Sequence, residues 1–282
     1  MIIDFHTHIF PDSLAGHAVK TLACSAGASP YLDGTKGDLV NSMREAGIDC
    51  SVLLPVVTNP SQQAHINRTV LEINEHSGET GLISFGGIHP DNEDYPQILR
   101  HLAGNGVKGI KLHPVFQKTS LDDIRYMRII SCACENDLAV LVHGGWDISH
   151  PGMDQACPRH VLPVLDTLRP PKFILAHMGG WGCWDQVEAF LAGRDLWLDT
   201  AFSLMPLRPA PGAGKMPGEY PPLPVEQFLR IVKLHGPDRI LFGTDSPWIG
   251  QAEMIRCLEE TGLSPEELAA VLGGNAARLL QL

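Results

Sequence analysis

Long apolar runs, a basic stripe and a disulfide framework are all missing from this chain of 282 residues. No apolar stretch approaches the roughly 20 residues that a helix needs to cross a bilayer. The first residues run straight into a strand, without the basic region and apolar core of a secretory signal. Both readings lead to the expectation of a cytoplasmic protein without a membrane partner. Basic side chains are outnumbered, 21 Lys and Arg against 32 Asp and Glu, which leaves a net charge of −11. Nucleic-acid binders neutralise phosphates with a basic surface, so the charge argues against such a partner and for a small-molecule substrate. The seven cysteines are odd in number and lack the spacing of a disulfide scaffold, which reads as reduced, mostly structural thiols. A homo-oligomer stays compatible with all of this.

Two catalytic signatures are absent as well. No Gly-rich phosphate turn comes after the first strand, as a nucleotide-binding sheet would require, and no Gly-x-Ser-x-Gly turn presents a nucleophilic serine. The first strand runs instead into His6-Thr7-His8. Strand side chains alternate faces with a period of two, so His6 and His8 point the same way and can converge on one ion. Two unrelated polar residues at a strand end are the alternative for the pair alone. Further apolar runs end in Lys111-Leu112-His113, in His143, in His177 and in Asp245, so ligand-type groups recur where buried strands stop.

Taken in order, the chain alternates strand and helix without a shift in composition. Strands are expected at residues 1–8, 50–57, 82–88, 107–112, 138–142, 172–176, 196–199 and 239–243. Helices are expected at 38–46, 61–77, 97–103, from the Ser120 and Asp123 cap to about 135, then at 159–168, 184–191, 225–234 and from Ser264, whose Glu267 completes a reciprocal cap. Residues 10–37 carry Pro11, Gly16, Gly27, Pro30 and Gly34 and read as an irregular excursion. Residues 202–224, rich in Pro and Gly, read as a long functional loop. Continuous apolar strands separated by helices mark a parallel sheet buried on both faces. Eight such units fit one α/β domain over residues 1–282, a (β/α)8 TIM barrel of the metal-dependent hydrolase type, with its active site at the C-terminal ends of the strands. That rule puts His6, His8, Lys111, His113, His143, His177 and Asp245 on one rim.

With these motifs the chain resembles the amidohydrolase superfamily, in particular the amidohydrolase-related group that includes the aminocarboxymuconate-semialdehyde decarboxylase-like enzymes. Gly109 to Pro114, Val142-His143-Gly144, Ala176 to Gly180, Gly243 to Pro247 and the terminal Gly274 to Leu280 carry the likeness together with the opening Ile3-Asp4-Phe5-His6-Thr7-His8. The resemblance implies that His6, His8, His143 and Asp245 bind one divalent ion per chain, most often zinc. It also implies that His177 holds and deprotonates a water on that ion; in a hydrolysis reaction Asp245 or His177 would relay the proton. Three imidazoles and a carboxylate suit zinc, which takes nitrogen and oxygen donors and keeps one position open in catalytic sites. Lys111 stands where some members carry a carboxylated lysine that bridges two ions; an unmodified ammonium that binds a substrate carboxylate is the favoured reading.

His113 reads as a substrate contact or as a plain loop histidine, with the weaker claim of His89 alongside it. Trp146, Trp181, Trp184 and Trp248 come after these positions and can wall a pocket for a planar substrate, with packing under the loops expected for at least two of them. Arg208 and Lys215 in the long loop can reach a substrate carboxylate from above. The first functional expectation is hydrolysis of a small amide, lactone or related bond. The second is a lyase reaction in the same site, non-oxidative decarboxylation or hydration of an unsaturated or aromatic carboxylic acid.

Overall fold

The structure, a computed structural model, describes residues 1–150, 152–210 and 220–282. It contains strands β1 (Ile3–Thr7), β2 (Cys50–Leu53), β3 (Leu82–Ser84), β4 (Gly86–Gly87), β5 (Gly109–Leu112), β6 (Ala139–Val142), β7 (Phe173–Leu175), β8 (Trp197–Asp199) and β9 (Ile240–Leu241). The helices are α1 (Asp12–Ala26), α2 (Lys36–Ala46), α3 (Gln63–Glu75), α4 (Ser77–Thr80), α5 (Tyr95–Gly104), α6 (Ile124–Glu135), α7 (Pro158–Leu168), α8 (Trp184–Phe190), α9 (Val225–His235), α10 (Gln251–Glu259), α11 (Pro265–Ala269) and α12 (Asn275–Leu280). The chain divides into two compact units, residues 1–51 with 199–282, and residues 52–198. No helix among the described residues is long and apolar enough to cross a membrane.

In the second unit β4 to β8 form a parallel ladder. Lys111 pairs with Gly87 and Leu141, Leu141 with Ile174, and Ile174 with Trp197. Every residue of β5, β6 and β7 is buried, as expected of apolar runs that meet helices on one side and neighbouring side chains on the other. The register brings Leu112, Val142 and Leu175 to one level. His113, His143 and the turn holding His177 therefore leave the sheet at the same edge.

The third strand expected from sequence is split in two, and α3 explains how. The Asn74 amide donates to the Ser84 carbonyl at 3.0 Å and its oxygen accepts the Ser84 N–H at 2.7 Å. Asn67 makes the same reciprocal pair with Gly87, both bonds at 2.9 Å. Side-chain amides thus satisfy backbone groups on either side of Phe85, where the strand is interrupted. The strand expected to run to Val57 stops at Leu53, two residues before Pro55, which has no N–H to give a ladder.

In the first unit the segment 241–246 runs beside β1. Phe5 donates to the Phe242 carbonyl at 2.8 Å, Asp245 to that of His6 at 2.8 Å, and His8 to that of Ser246 at 2.7 Å. On the other side of the same segment Thr200 donates to Leu241 at 3.0 Å. Three chain segments, ending at His8, Thr200 and Ser246, are held in register by these bonds.

Residues 10–37 are largely helical, not irregular as expected. The stretch Asp12–Ala26 is rich in helix formers, and an isolated glycine costs only about 1 kcal/mol there. Gly16 takes that cost on an open face with nothing within 4 Å of where a Cβ would sit. The cap of α6 is Asp123, whose carboxylate accepts the Arg125 N–H, and not Ser120. Ser264 and Glu267 do form the reciprocal cap of α11. Helix α10, not among the expected elements, buries Gln251, Met254, Ile255 and Leu258 at helical spacing.

Candidate metal centre and its surroundings

The first unit gathers His6, His8 and Asp245. Nε2 of His6 lies 3.2 Å from Nε2 of His8, Oδ1 of Asp245 is 3.0 Å from His8 Nε2, and it is 3.5 Å from His6 Nε2. Donors about 2.0–2.1 Å from a common ion in a tetrahedral arrangement sit about 3.3–3.5 Å apart. The three donor atoms therefore fit a first-row divalent ion in spacing and in type.

Behind them Nδ1 of His6 meets Oδ2 of Asp199 at 2.8 Å, and both side chains are fully buried. That carboxylate accepts a hydrogen bond from Nδ1–H, which leaves the Nε2 lone pair facing His8 and Asp245. Oδ1 of Asp199 accepts the Ala201 N–H at 3.0 Å, so the carboxylate is itself fixed. Asp4, one strand period before His6, accepts N–H bonds from His6 and Thr244 and the Thr244 hydroxyl proton at 2.6 Å. Gln251 donates to the same carboxylate at 2.9 Å. Burial pushes Asp4 up to about 7, against the pull of these bonds. Asp4 thereby ties β1 to the turn that carries Asp245. Asp245 itself adopts φ +64°, a left-handed conformation that a carboxylate residue holds only when its surroundings enforce it.

The second unit holds the other predicted residues. His143 is buried; its Nε2 donates to the Trp146 carbonyl at 2.9 Å, which leaves Nδ1 as the lone-pair nitrogen, 3.0 Å from Nε2 of His177. His177, at φ +61°, is pinned through its carbonyl by the Trp184 indole N–H at 3.0 Å. His113 stacks between Phe116 and His143, with ring centroids 4.1 Å apart on both sides. Oδ2 of Asp147 lies 3.6 Å from His113 Nε2 and 4.0 Å from His143 Nε2. Gln117 fixes the turn after β5: its oxygen accepts from His113 N–H and the Tyr126 hydroxyl, and its amide donates to Val57 and Ile88. Lys111 is buried at 2% exposure.

Around His143 the backbone packs with no room to spare. Gly145, at φ +83°, bridges both Ala156 and Trp181, and a Cβ there would fall 2.4 Å from Trp181 backbone atoms. Trp146 covers Gly182 the same way, its ring 2.7 Å from where a Cβ would stand, and remains 40% exposed. Trp181 and Trp184 are buried.

The Arg208 guanidinium lies 3.4 Å over the Tyr31 ring, in the first unit. Stacking occupies its face and leaves its N–H edge for hydrogen bonding. The described part of the long loop pairs with the chain after α1, through Ser29 N–H to Arg208 at 2.7 Å and Ala210 N–H to Gly27 at 3.0 Å. Lys215 lies outside the described residues.

The proposed ligand set thus falls three in the first unit and one, His143, in the second. Asp199, Asp4, Asp147 and Gln117 are not among the residues expected from sequence. For Asp199 a signal exists: an acid closing an apolar strand, as Asp245 closes another.

A profile of the amidohydrolase family matches residues 3–282. Comparison of the sequence with curated proteins gives no match. Among solved structures, a TIM-barrel protein from Bordetella bronchiseptica superposes with a TM-score of 0.78 at 18% identity, over 99% of this chain and 98% of that one. A 5-carboxyvanillate decarboxylase from Sphingomonas paucimobilis gives 0.69 at 14%, over 100% and 99%. A dihydroxybenzoic acid decarboxylase from a Polaromonas species, solved with manganese and 2-nitroresorcinol, gives 0.68 at 15%, over 100% and 97%. At such identities the likeness shows the fold, a parallel TIM barrel, as the eight-fold alternation led one to expect. Matched along nearly its whole length, the chain belongs to the amidohydrolase family, whose enzymes work with a divalent metal.

Proposed function

We propose that this enzyme is a metal-dependent lyase that removes carbon dioxide from a small aromatic or unsaturated carboxylic acid. The observation that carries the metal dependence is the donor triangle of His6, His8 and Asp245, backed by Asp199. The family resemblance alone would add His143, whose two nitrogens here face the Trp146 carbonyl and His177 Nε2. The choice of reaction is supported by solved neighbours that are themselves decarboxylases of hydroxylated benzoates.

A divalent ion held by these residues supplies Lewis acidity toward substrate oxygens and lowers the pKa of a water ligand. The remaining work belongs to the protein. His177 holds a proton at Nε2, directed at His143 Nδ1, and an imidazole so placed can pass a proton to or from a reacting group. Lys111 offers a buried ammonium to a substrate carboxylate, and the half-exposed Trp146 ring a flat wall. Hydrolysis of an amide or lactone is the second reading, favoured by the amidohydrolase profile and served by the same groups. Zinc and manganese both suit the donor set.

The test is elemental analysis of chelator-free protein followed by a panel of hydroxybenzoates, N-acyl amino acids and lactones. Metal-dependent release of carbon dioxide from a hydroxybenzoate supports the lyase reading. Turnover confined to lactones or amides replaces it with the hydrolase, and a metal-free protein that gains nothing from added zinc or manganese removes both.

A further inference from the structure

All seven cysteines are free thiols, yet two of them meet. Sγ of Cys157 lies 3.1 Å from Sγ of Cys183, inside the roughly 3.5–4.0 Å at which uncharged carbon atoms rest, and each residue is only 4% exposed. Each is the residue before a helix, Cys157 before α7 and Cys183 before α8. Their places follow from Gly145, which bridges Ala156 on one side and Trp181 on the other. The sulfur pair therefore sits beside the Gly144-Gly145-Trp146 segment that leaves His143, and Cys183 comes six residues after His177. One thiol donates to the other: the shared proton pushes Cys157 up and pulls Cys183 down, so Cys183 has the greater thiolate character.

We propose that Cys157 and Cys183 are a redox-active pair, converted reversibly to a disulfide by hydrogen peroxide. The Cys183 sulfur attacks one peroxide oxygen, the O–O bond breaks, and the departing hydroxide takes up the thiol proton as water. Cys183 is then a sulfenic acid. The Cys157 sulfur displaces its hydroxide, the S–S bond forms, and the Cys157 proton leaves with that hydroxide as a second water. Each sulfur gives up one electron and the peroxide gains two. A disulfide needs sulfurs about 2.05 Å apart, so the pair closes by about 1 Å, a displacement within reach of side-chain rotation at two helix-cap residues. The bond then fastens the segment after β6 to the segment after β7, the two that carry His143 and His177.

The full-length protein, purified under reductant and freed of it, is exposed to stoichiometric peroxide, and thiols are counted after denaturation. The expected result is a fall from seven thiols to five, the loss of two hydrogen masses, one cross-linked peptide pair holding Cys157 and Cys183, and complete reversal by dithiothreitol. C157S should arrest at a sulfenic acid on Cys183 that dimedone traps, and C183S should keep all six of its thiols. Seven thiols surviving in the wild type, or oxidation that falls on the exposed Cys24 while Cys157 and Cys183 stay reduced, overturns the proposal. The wild-type cross-link map decides the matter alone if a serine variant does not fold.

Discussion

Nδ1 of His6 and Oδ2 of Asp199 stand 2.8 Å apart, both fully buried, and this contact decides which nitrogen of His6 is presented to an ion. An Asn at position 199 cannot serve both of its present partners. Its oxygen can accept from His6 or from Ala201 N–H, but the amide nitrogen then meets a second donor. We expect Asp199→Asn to weaken metal binding about 10- to 100-fold, the usual scale for an outer-sphere partner of a ligating histidine. Competition with a chromophoric chelator measures it. Unchanged affinity would mean that His6 is oriented by something else.

Metal removal should cost stability as well as activity. An ion that binds the folded chain alone stabilises it by about 2.7 kcal/mol when free metal stands at 100 times its dissociation constant. Dialysis against a chelator should lower the denaturation midpoint, and zinc or manganese should restore it. His8→Ala and Asp245→Ala should each sit near the stripped wild type and respond little to added metal. A midpoint that ignores the chelator would show that the triangle holds no ion in solution.

Acid should destabilise the protein in part through His89. This side chain is buried at 4% exposure, and burial holds its pKa below the usual 6.5, with Asp91 opposing. A lowered folded-state value means that the unfolded chain takes up the proton first. The contribution is complete above about pH 6.5 and is lost as pH falls through the folded-state value. One such proton changes stability by at most about 1.4 kcal/mol per pH unit. His89→Asn, whose oxygen can still accept the Asp91 N–H, should flatten the acid limb of a denaturant-midpoint profile. An identical acid limb in the variant would assign the loss to other groups.

The parts of this architecture that show in the sequence are those with a period. Apolar runs ending in a ligand-type residue mark the strands, and His6-x-His8 marks a shared face, because alternation alone dictates both. Helix α1 is hidden by Gly16 and its flanking prolines, which resemble loop signals until packing shows that the glycine faces open space. Asp147 looks like a solvated acid in sequence and Asp199 shows only as an acid closing an apolar strand; the fold sets each against a histidine. The meeting of Cys157 and Cys183 depends on two loops bridging one glycine, and no spacing rule records that.

His177 is expected to move protons rather than to hold the ion. Its Nε2 reaches Nδ1 of His143, whose other nitrogen is committed to the Trp146 carbonyl, so the proton between the two rings belongs to His177. The His177 backbone is secured by Trp184 independently of the imidazole, and a substitution there should remove the ring's chemistry and little else. His177→Asn should then lower kcat by about two to four powers of ten, the range for loss of a general acid or base, while metal content stays near one equivalent per chain. Loss of metal together with activity would make His177 a ligand. It would then shift the reading to a two-ion centre, with Lys111 the residue to examine for carboxylation by intact mass.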